Sequence, residues 1–233
     1  MSQHQPATRA GVVPSHDRAA KDALNEQFAR VGGALANGRR IELLDLLAQG
    51  ERSVEALAAE AEIGMTLASA HLQVLRRAGL VDTRRDGTRV FYRLAGDDVY
   101  RLLALLRELA STRLAEAERA ARTYLGEPDA LEPLSRSELL RRIEAGDVVV
   151  VDVRRAEEYA AGHVAGAISV PLDELEARLA ELPAGRDVVA YCRGPFCALG
   201  PQAVELLRRH GRRARRLADG FPEWRLAGLP TAR

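Results

Sequence analysis

DVVAYCRGPFCALGPQAVELL, residues 187–207, runs from an apolar stretch through a glycine–proline loop into an apolar pattern with helical spacing. Both cysteines of the chain, Cys192 and Cys197, lie in that loop. Packing alone would scatter two cysteines. Their confinement to one loop raises three readings: metal binding, disulfide formation or thiol chemistry. The strand DVVAY ends at Cys192, and the helix begins near Ala198, so the loop faces a helix N-terminus. Unpaired N–H groups and a partial positive charge there favour a thiolate over a thiol, and Arg193 adds a full charge beside it. A cysteine whose ordinary pKa is about 8.5 is expected to fall to neutrality or below in such a place, which makes Cys192 a candidate nucleophile.

Outward from the loop, residues 134–233 alternate. SELLRRIEAG reads as helix, VVVVDV as strand, RAEEYAAG as helix, ISV as a short strand, and LDELEARLAEL (172–182) as helix. After DVVAYC and the ALGPQAVELLRRHG helix come a strand, RARRLA, and a last helix, FPEWRLAG. Apolar runs without internal alternation, separated by helices, predict a parallel sheet covered on both faces, with ligands gathering beyond the carboxyl ends of its strands.

The chain has 233 residues, 47% of them apolar and 29% charged, enough for one large or two small globular domains. No apolar run approaches the roughly 20 residues of a membrane helix, so no membrane partner is expected. The first residues, MSQHQPATRAGVVPSHD, lack the apolar centre of a signal peptide and read as a loose tail over 1–16. A cytoplasmic setting follows, in which thiols stay free and a working cysteine is favoured over a structural disulfide.

The pattern changes at GEPDALEP, 126–133, which reads as a linker between a domain at 17–125 and a domain at 134–233. The first of these is mainly helical. Residues 17–35 and 39–48 have helical spacing, with a break at Asn37-Gly38. Ser53 caps a short helix, and Thr66 is the expected N-cap of a second, which Gly79 ends in a left-handed conformation. Two helices joined by EIGM form a helix-turn-helix candidate. On the second helix Ala68, Leu72 and Leu75 share one face. Thr66, Ala70, Gln73 and Arg77 lie opposite, with Ser69 and His71 on the flanks. A small, polar outer face with one cation suits insertion into a DNA major groove. The next segment, LVDTRRDGTRVFYRL, predicts a hairpin around Asp86-Gly87, with Arg84, Arg85 and Arg89 at its tip. Between Arg76 and Arg93 six arginines face two acids, a basic patch fit for phosphates. Residues 97–125 read as one long leucine-rich helix whose apolar width predicts a partner helix, hence a homodimer.

Residues ~20–125 resemble the ArsR-type winged-helix repressors, through ALANGRRIELLDLL, TLASAHLQVLRRAGLV and the wing RRDGTRVFYRL. The resemblance implies binding to a double-stranded DNA operator. Many ArsR-type proteins sense metals through cysteines on the helix before the recognition helix; here that helix, SVEALAAEA, has neither cysteine nor histidine. Residues ~134–230 resemble the single-domain rhodaneses through VVVVDVR, EEYAAGHVAGAISVP, YCRGPFC and ADGFPEW. That resemblance implies a persulfide carried on Cys192, a loop and anion cradle that includes Gly194, Phe196 and Ala198, and an Arg154 that faces the loop and attracts an anionic donor. Asp152, Glu157, His163, Gly166 and Ala167 match further motif positions and read as scaffold, His163 shaping a turn. Two departures matter. Pro195 stands where the common loop has glycine and removes an N–H from the cradle, and Ala198 stands where related phosphatases carry arginine.

For Cys197 three readings stay open: a small apolar filler, a resolving thiol that attacks a persulfide or sulfenate on Cys192, or one of two thiolates on a soft metal. Two thiolates without a third ligand make a poor zinc site, so no metal and no cofactor is expected. The whole predicts a two-domain chain: a mainly α winged helix-turn-helix unit, then an α/β rhodanese-like unit. Its expected function is a DNA-binding regulator, a repressor by family habit, sensing or carrying sulfur from a small donor such as a persulfide or thiosulfate. The alternatives are a sulfurtransferase that uses its winged helix for docking or dimerisation, and an arsenic or cadmium sensor.

Overall fold

The computed structural model describes residues 17–126 and 133–233. The tail expected at 1–16 lies outside the described residues, as does the expected linker apart from its end residues, Gly126 and Pro133.

The first half opens with α1 (Arg18–Leu35), capped by Asp17, and α2 (Gly38–Ala48), capped by Asn37, whose side chain accepts from Arg40 N–H at 3.2 Å. A two-residue strand, β1 (Arg52–Ser53), precedes α3 (Val54–Glu60), and Ser53 Oγ accepts from Ala56 N–H at 3.2 Å as expected of an N-cap. The second helix of the helix-turn-helix, α4 (Met65–Arg77), starts one residue earlier than Thr66. Its N-cap is Gly64 in extended conformation, so Thr66 lies inside the first turn and caps nothing. Glu62, with φ +51°, already turns the chain before that point. Gly79 closes α4 with φ +73°. The hairpin β2 (Val81–Asp86) and β3 (Arg89–Leu94) turns through Gly87 and Thr88, and β1 adds to it in the order β1-β3-β2. Gly87 supplies the positive φ, +58°, that a two-residue hairpin turn needs at its first central position.

The long helix expected over 97–125 is two helices, α5 (Asp97–Arg113) and α6 (Ala115–Leu125), broken at Leu114, which is extended. Thr112 Oγ1 bonds back to the carbonyls of Glu108 at 2.9 Å and Leu109 at 3.3 Å, a competition with the helical ladder that bends helix ends. One core joins these elements: Leu43, Leu44, Leu57, Ala68, Leu72, Leu75, Tyr100 and Leu103 are essentially fully buried. Each buried leucine contributes about 1.5–3 kcal/mol.

The second half contains α7 (Arg136–Ala145), β4 (Val148–Asp152), α8 (Ala156–Ala161), β5 (His163–Val164), β6 (Ile168–Ser169), β7 (Asp187–Tyr191), α9 (Leu199–Arg209), β8 (Ala214–Arg216), α10 (Phe221–Leu226) and β9 (Thr231–Ala232). Four strands make a parallel sheet, β6-β4-β7-β8, and β5 pairs with β9. The run VVVVD is buried on both faces, as a central parallel strand requires. Val149 and Val151 enter one core with α9; Val148 and Val150 enter the other with α7 and α10. Residues 172–182 form turns and a single 3-10 turn at Leu179–Glu181 instead of the expected helix. Leu172 is tied to β4 through Val153, and Leu175 and Leu182 are buried, so packing holds the segment without a continuous helical ladder. Among the described residues, no helix is long and apolar enough to cross a membrane.

Candidate functional site

The sulfur loop begins where β7 ends. Cys197 N–H donates to Gly194 O at 3.2 Å and closes a turn with Pro195 at its second position, where the fixed φ of proline is suited and its missing N–H is not needed. Two glycines give the loop its room. A Cβ on Gly220 would collide with the Arg193–Gly194 backbone, and one on Gly200, in the first turn of α9, would stand 3.2 Å from Cys192 Sγ. The loop is further fixed by Phe221 N–H, which donates to Cys192 O at 3.1 Å.

Both cysteines are free; Cys192 is buried, 4% exposed, and Cys197 is half-buried. The Cys192 thiol donates to the backbone carbonyls of Cys197 at 3.6 Å and Gly194 at 3.8 Å, and the two sulfurs lie close enough to act on each other's charge. Cys197 is lowered to about 7, first by the Cys192 thiol, then by backbone bonds to Arg193 and Leu199 and the Arg193 charge, against the opposing effect of burial. Cys192 is pushed well above its ordinary value by the neighbouring Cys197 and by burial, and the Gly194 and Gly200 backbone offsets only part of this. The expectation of an ionised Cys192 is therefore corrected. Two sulfurs share one cradle, a second charge there is disfavoured, and the more accessible Cys197 carries the first. The Cys192 thiol stays protonated and faces backbone carbonyls.

Two arginines also differ from expectation. Arg154 does not face the loop. It is 0% exposed; its Nε and Nη2 lie 3.0 and 2.6 Å from the Asp152 carboxylate, Nη2 also donates to Gly162 O at 2.8 Å, and Nη1 donates to Gln49 Oε1 at 3.1 Å. Its guanidinium stacks on Phe221 at 4.6 Å and lies over Tyr191 at 5.5 Å. A buried cation with every nitrogen committed holds the scaffold and binds no donor. Arg193 keeps its charge near the thiolate but sends its side chain to Glu158, at 2.9 and 3.0 Å, and to Glu60 of α3. Of the cradle residues, Gly194 is buried, Phe196 is 37% exposed at the tip, and Ala198 stands at the N-cap of α9 without a side-chain cap bond. His163 stacks on Tyr159 at 3.6 Å, a structural contact. The sequence reading missed Arg216, whose burial lowers its pKa and whose Nε has no hydrogen-bond partner; the Cys192 sulfur acts on its charge. Its only signal was its place near the end of the RARRLA strand. No group of three or more metal-ligating side chains occurs among the described residues.

On α4, Ala68, Leu72 and Leu75 are buried while Thr66, Ala70 and Arg77 are exposed and Ser69, His71 and Gln73 are half-buried. Gln73 Nε2 donates to Tyr92 OH at 3.2 Å, tying α4 to the wing. Met65, Leu67 and Val74 add exposed apolar surface that the face analysis did not single out. At the wing, Arg85 and Arg89 are exposed beside the turn. Arg84 is drawn away from the tip: Nη2 pairs with Glu51 at 2.6 Å and the guanidinium stacks on Phe91 at 4.8 Å, so its charge is already answered.

Comparison with known proteins agrees with both halves. Residues 37–83 match the family described as bacterial regulatory protein, arsR family, and residues 135–227 match the rhodanese-like domain. The HTH-type transcriptional regulator Rv0324 of Mycobacterium tuberculosis is 57% identical over 210 residues, covering 90% of this chain and 92% of that protein. A sulfurtransferase of Allochromatium vinosum is 36% identical over 91 residues, 39% of this chain and 83% of that protein. The solution structure of the homodimeric winged helix-turn-helix DNA-binding domain Mb0332 from Mycobacterium bovis shares 54% identity and covers 45% of this chain and 95% of that one, with a TM-score of 0.41. With a winged helix-turn-helix ahead of a rhodanese-like sheet, and a relative alike over nearly its whole length, the chain belongs to the ArsR family of bacterial transcriptional regulators and carries a C-terminal rhodanese-like domain.

Proposed function

We propose that this protein is a cytoplasmic, homodimeric repressor whose Cys192–Cys197 pair senses reactive sulfur and releases an operator when modified. The observation that carries the reading is the pair itself: two free thiols in one cradle, one held near its ionisation point at neutral pH by the other. In the first step the Cys197 thiolate attacks the sulfane sulfur of a small persulfide, RS–SH. A Cys197–S–SH bond forms and RS⁻ leaves. In the second, the Cys192 thiol attacks Cys197 Sγ, forming the Cys192–Cys197 disulfide and releasing H₂S, so the persulfide is reduced as the pair is oxidised. Dimerisation is supported by the exposed Leu102, Leu105 and Leu109 of α5, with Leu24 and Phe28 of α1, an apolar surface that a single chain leaves uncovered. DNA reading rests on the exposed face of α4 and on Arg85 and Arg89, with phosphate contacts supplying affinity and the helix supplying choice of sequence.

The test is fluorescence anisotropy on a duplex selected from a random pool, with and without an organic persulfide. The wild type should lose at least tenfold in affinity, within the ordinary range of an allosteric coupling, ~5–150-fold. Cys197→Ser and Cys192→Ser should lose less, and intact mass should show an added sulfur or the loss of two hydrogens in the wild type. An equal donor response in wild type and the double serine variant overturns the reading. A second reading, sulfur transfer to an acceptor, is favoured by one observation, the half-buried Arg216, whose Nε has no hydrogen-bond partner among the described residues and whose charge the Cys192 sulfur supports; turnover with thiosulfate and cyanide would support it.

A further inference from the structure

The sulfur loop is gripped by the DNA-reading half of the chain. Gln49, the C-cap residue of α2 and only 2% exposed, donates from Nε2 to the Arg193 carbonyl at 3.1 Å. The side chain of Arg193 closes a ring of alternating charge with Glu158, Arg52 and Glu60: Arg52 Nη1 lies 3.0 Å from Glu60 and Arg52 Nη2 lies 3.1 Å from Glu158. Two members, Arg52 and Glu60, belong to the winged helix; two, Glu158 and Arg193, belong to the rhodanese-like half. All four side chains are at most 17% exposed. On the other side of the loop, Gly194 packs on Tyr100 of α5 and Glu223 of α10, which are hydrogen-bonded to each other.

The ring has a continuation. Arg52 sits on β1 opposite Tyr92 of the wing strand β3, and Tyr92 OH accepts from Gln73 of the reading helix. Glu60 is the last residue of α3, the helix that leads into α4. A connected set of contacts thus runs from the residue next to Cys192 to the surface that faces DNA. Withdrawing Arg193 leaves the two buried carboxylates, Glu60 and Glu158, to share Arg52, with only the exposed Arg155 also near Glu60, so a shift of the loop is felt at Arg52 and Glu60.

We propose that Gln49, which holds the Arg193 carbonyl, and Glu60, a member of the ring, are positioning residues of the sulfur loop, and that the ring carries the loop's chemical state to α3, the wing and α4. This inference rests on the sensing reading above. Closing a bond between positions 192 and 197 draws in the four residues between them, Arg193 first, and the ring must give. By reciprocity, DNA bound at α4 alters the dithiol–disulfide equilibrium by the same factor as disulfide formation alters DNA affinity; a tenfold change in Kd corresponds to about 30 mV in that two-electron couple.

The decisive variant is the pair Glu60→Gln with Gln49→Ala in the full chain, loaded with the same organic persulfide and checked by intact mass. Its ratio of duplex affinities with and without donor should fall to within about twofold of unity, against at least tenfold for wild type. Glu60→Asp, which keeps the charge, should retain a response. A wild-type ratio in the sulfur-loaded double variant overturns the proposal. Should the variant fail to fold, hydrogen exchange on the wild type decides. Donor treatment should change exchange at residues 52–63, and unchanged exchange there overturns the route. A wild type that loads sulfur without any change in DNA affinity refutes the sensing reading instead, and the exchange measurement still tests the route separately.

Discussion

Arginine does opposite work in the two halves of this molecule. On the reading side, Arg77, Arg85 and Arg89 are exposed. Around the sulfur loop, the side chains of Arg52, Arg154 and Arg193 are 11%, 0% and 17% exposed, and each meets a carboxylate. The first set keeps its charge at the surface; the second answers Asp152, Glu158 and Glu60 inside the protein. The difference lies in what surrounds each arginine. The wing is a hairpin at the surface whose acids, Asp82 and Asp86, and the nearby Glu51 are engaged by Arg93 and Arg84 in exposed pairs, whereas the loop arginines lie beneath or beside packed elements whose carboxylates would be costly without them. Surface arginines therefore tune binding, and buried ones hold geometry.

The largest effect that would break this contrast belongs to Arg154. Replaced by methionine, it leaves the fully buried Asp152 carboxylate without its cation, a loss of about 3–5 kcal/mol in urea unfolding. A change below about 1 kcal/mol would show that the internal arginines are no more structural than those of the wing. The ring at Glu158 adds a pH dependence. Burial alone would raise the Glu158 carboxyl, but the Arg193 hydrogen bond and the charges of Arg193, Arg52 and Arg154 outweigh it and hold the group below its ordinary value. A depressed carboxylate contributes stability that is complete above its unfolded pKa and is lost as pH falls through the folded one. The ring is accordingly a neutral-pH device that acid dissolves.

The cysteines sharpen the contrast at intermediate size. With Cys192→Ala the thiol beside Cys197 is gone, so the Cys197 midpoint should rise from about 7 toward the ordinary value, about 8.5, and its alkylation at pH 7 should slow by about tenfold. A midpoint left in place would mean that Arg193 and the helix N-terminus set the charge of Cys197 alone, the two influences the sequence had pointed at Cys192.

That local reading shows where the sequence was legible and where it was not. VVVVD declared a central parallel strand, Asp86-Gly87 declared the hairpin, Ser53 marked a helix start and Asn37-Gly38 the break between two helices, because each signal is set by neighbouring residues and a single buried face. The same neighbourhood logic placed the negative charge on Cys192, at the strand end, and missed that Cys197 is the more exposed of the two thiols in the cradle. It aimed Arg154 at the loop because the rhodanese motif sits nearby, whereas Asp152, two residues earlier, and Gln49, 105 residues away, claim it. Arg193 meeting Glu60, 133 residues away, leaves no local trace at all. Helix breaks such as Leu114 and the turns of 172–182 escaped because apolar spacing persists through them while the backbone ladder does not.

The smallest effects test the wing, where the contrast runs within one hairpin. Arg85 and Arg89 are exposed, but Arg84, next to Arg85, is paired with Glu51 and stacked on Phe91. Arg85→Ala and Arg89→Ala should each weaken duplex binding several-fold for every sequence alike and reduce the slope of log K against log salt by about one. Arg84→Ala removes a cation whose field Glu51 already cancels, so its salt slope should stay near that of the wild type. Titration of anisotropy at four salt concentrations separates the two outcomes. Equal slope losses at all three positions would mean that Arg84 leaves Glu51 for phosphate on binding. The division between free and answered arginines would then be one that DNA can rewrite, at least at the surface, where an ion pair of this kind is worth little and is easily exchanged.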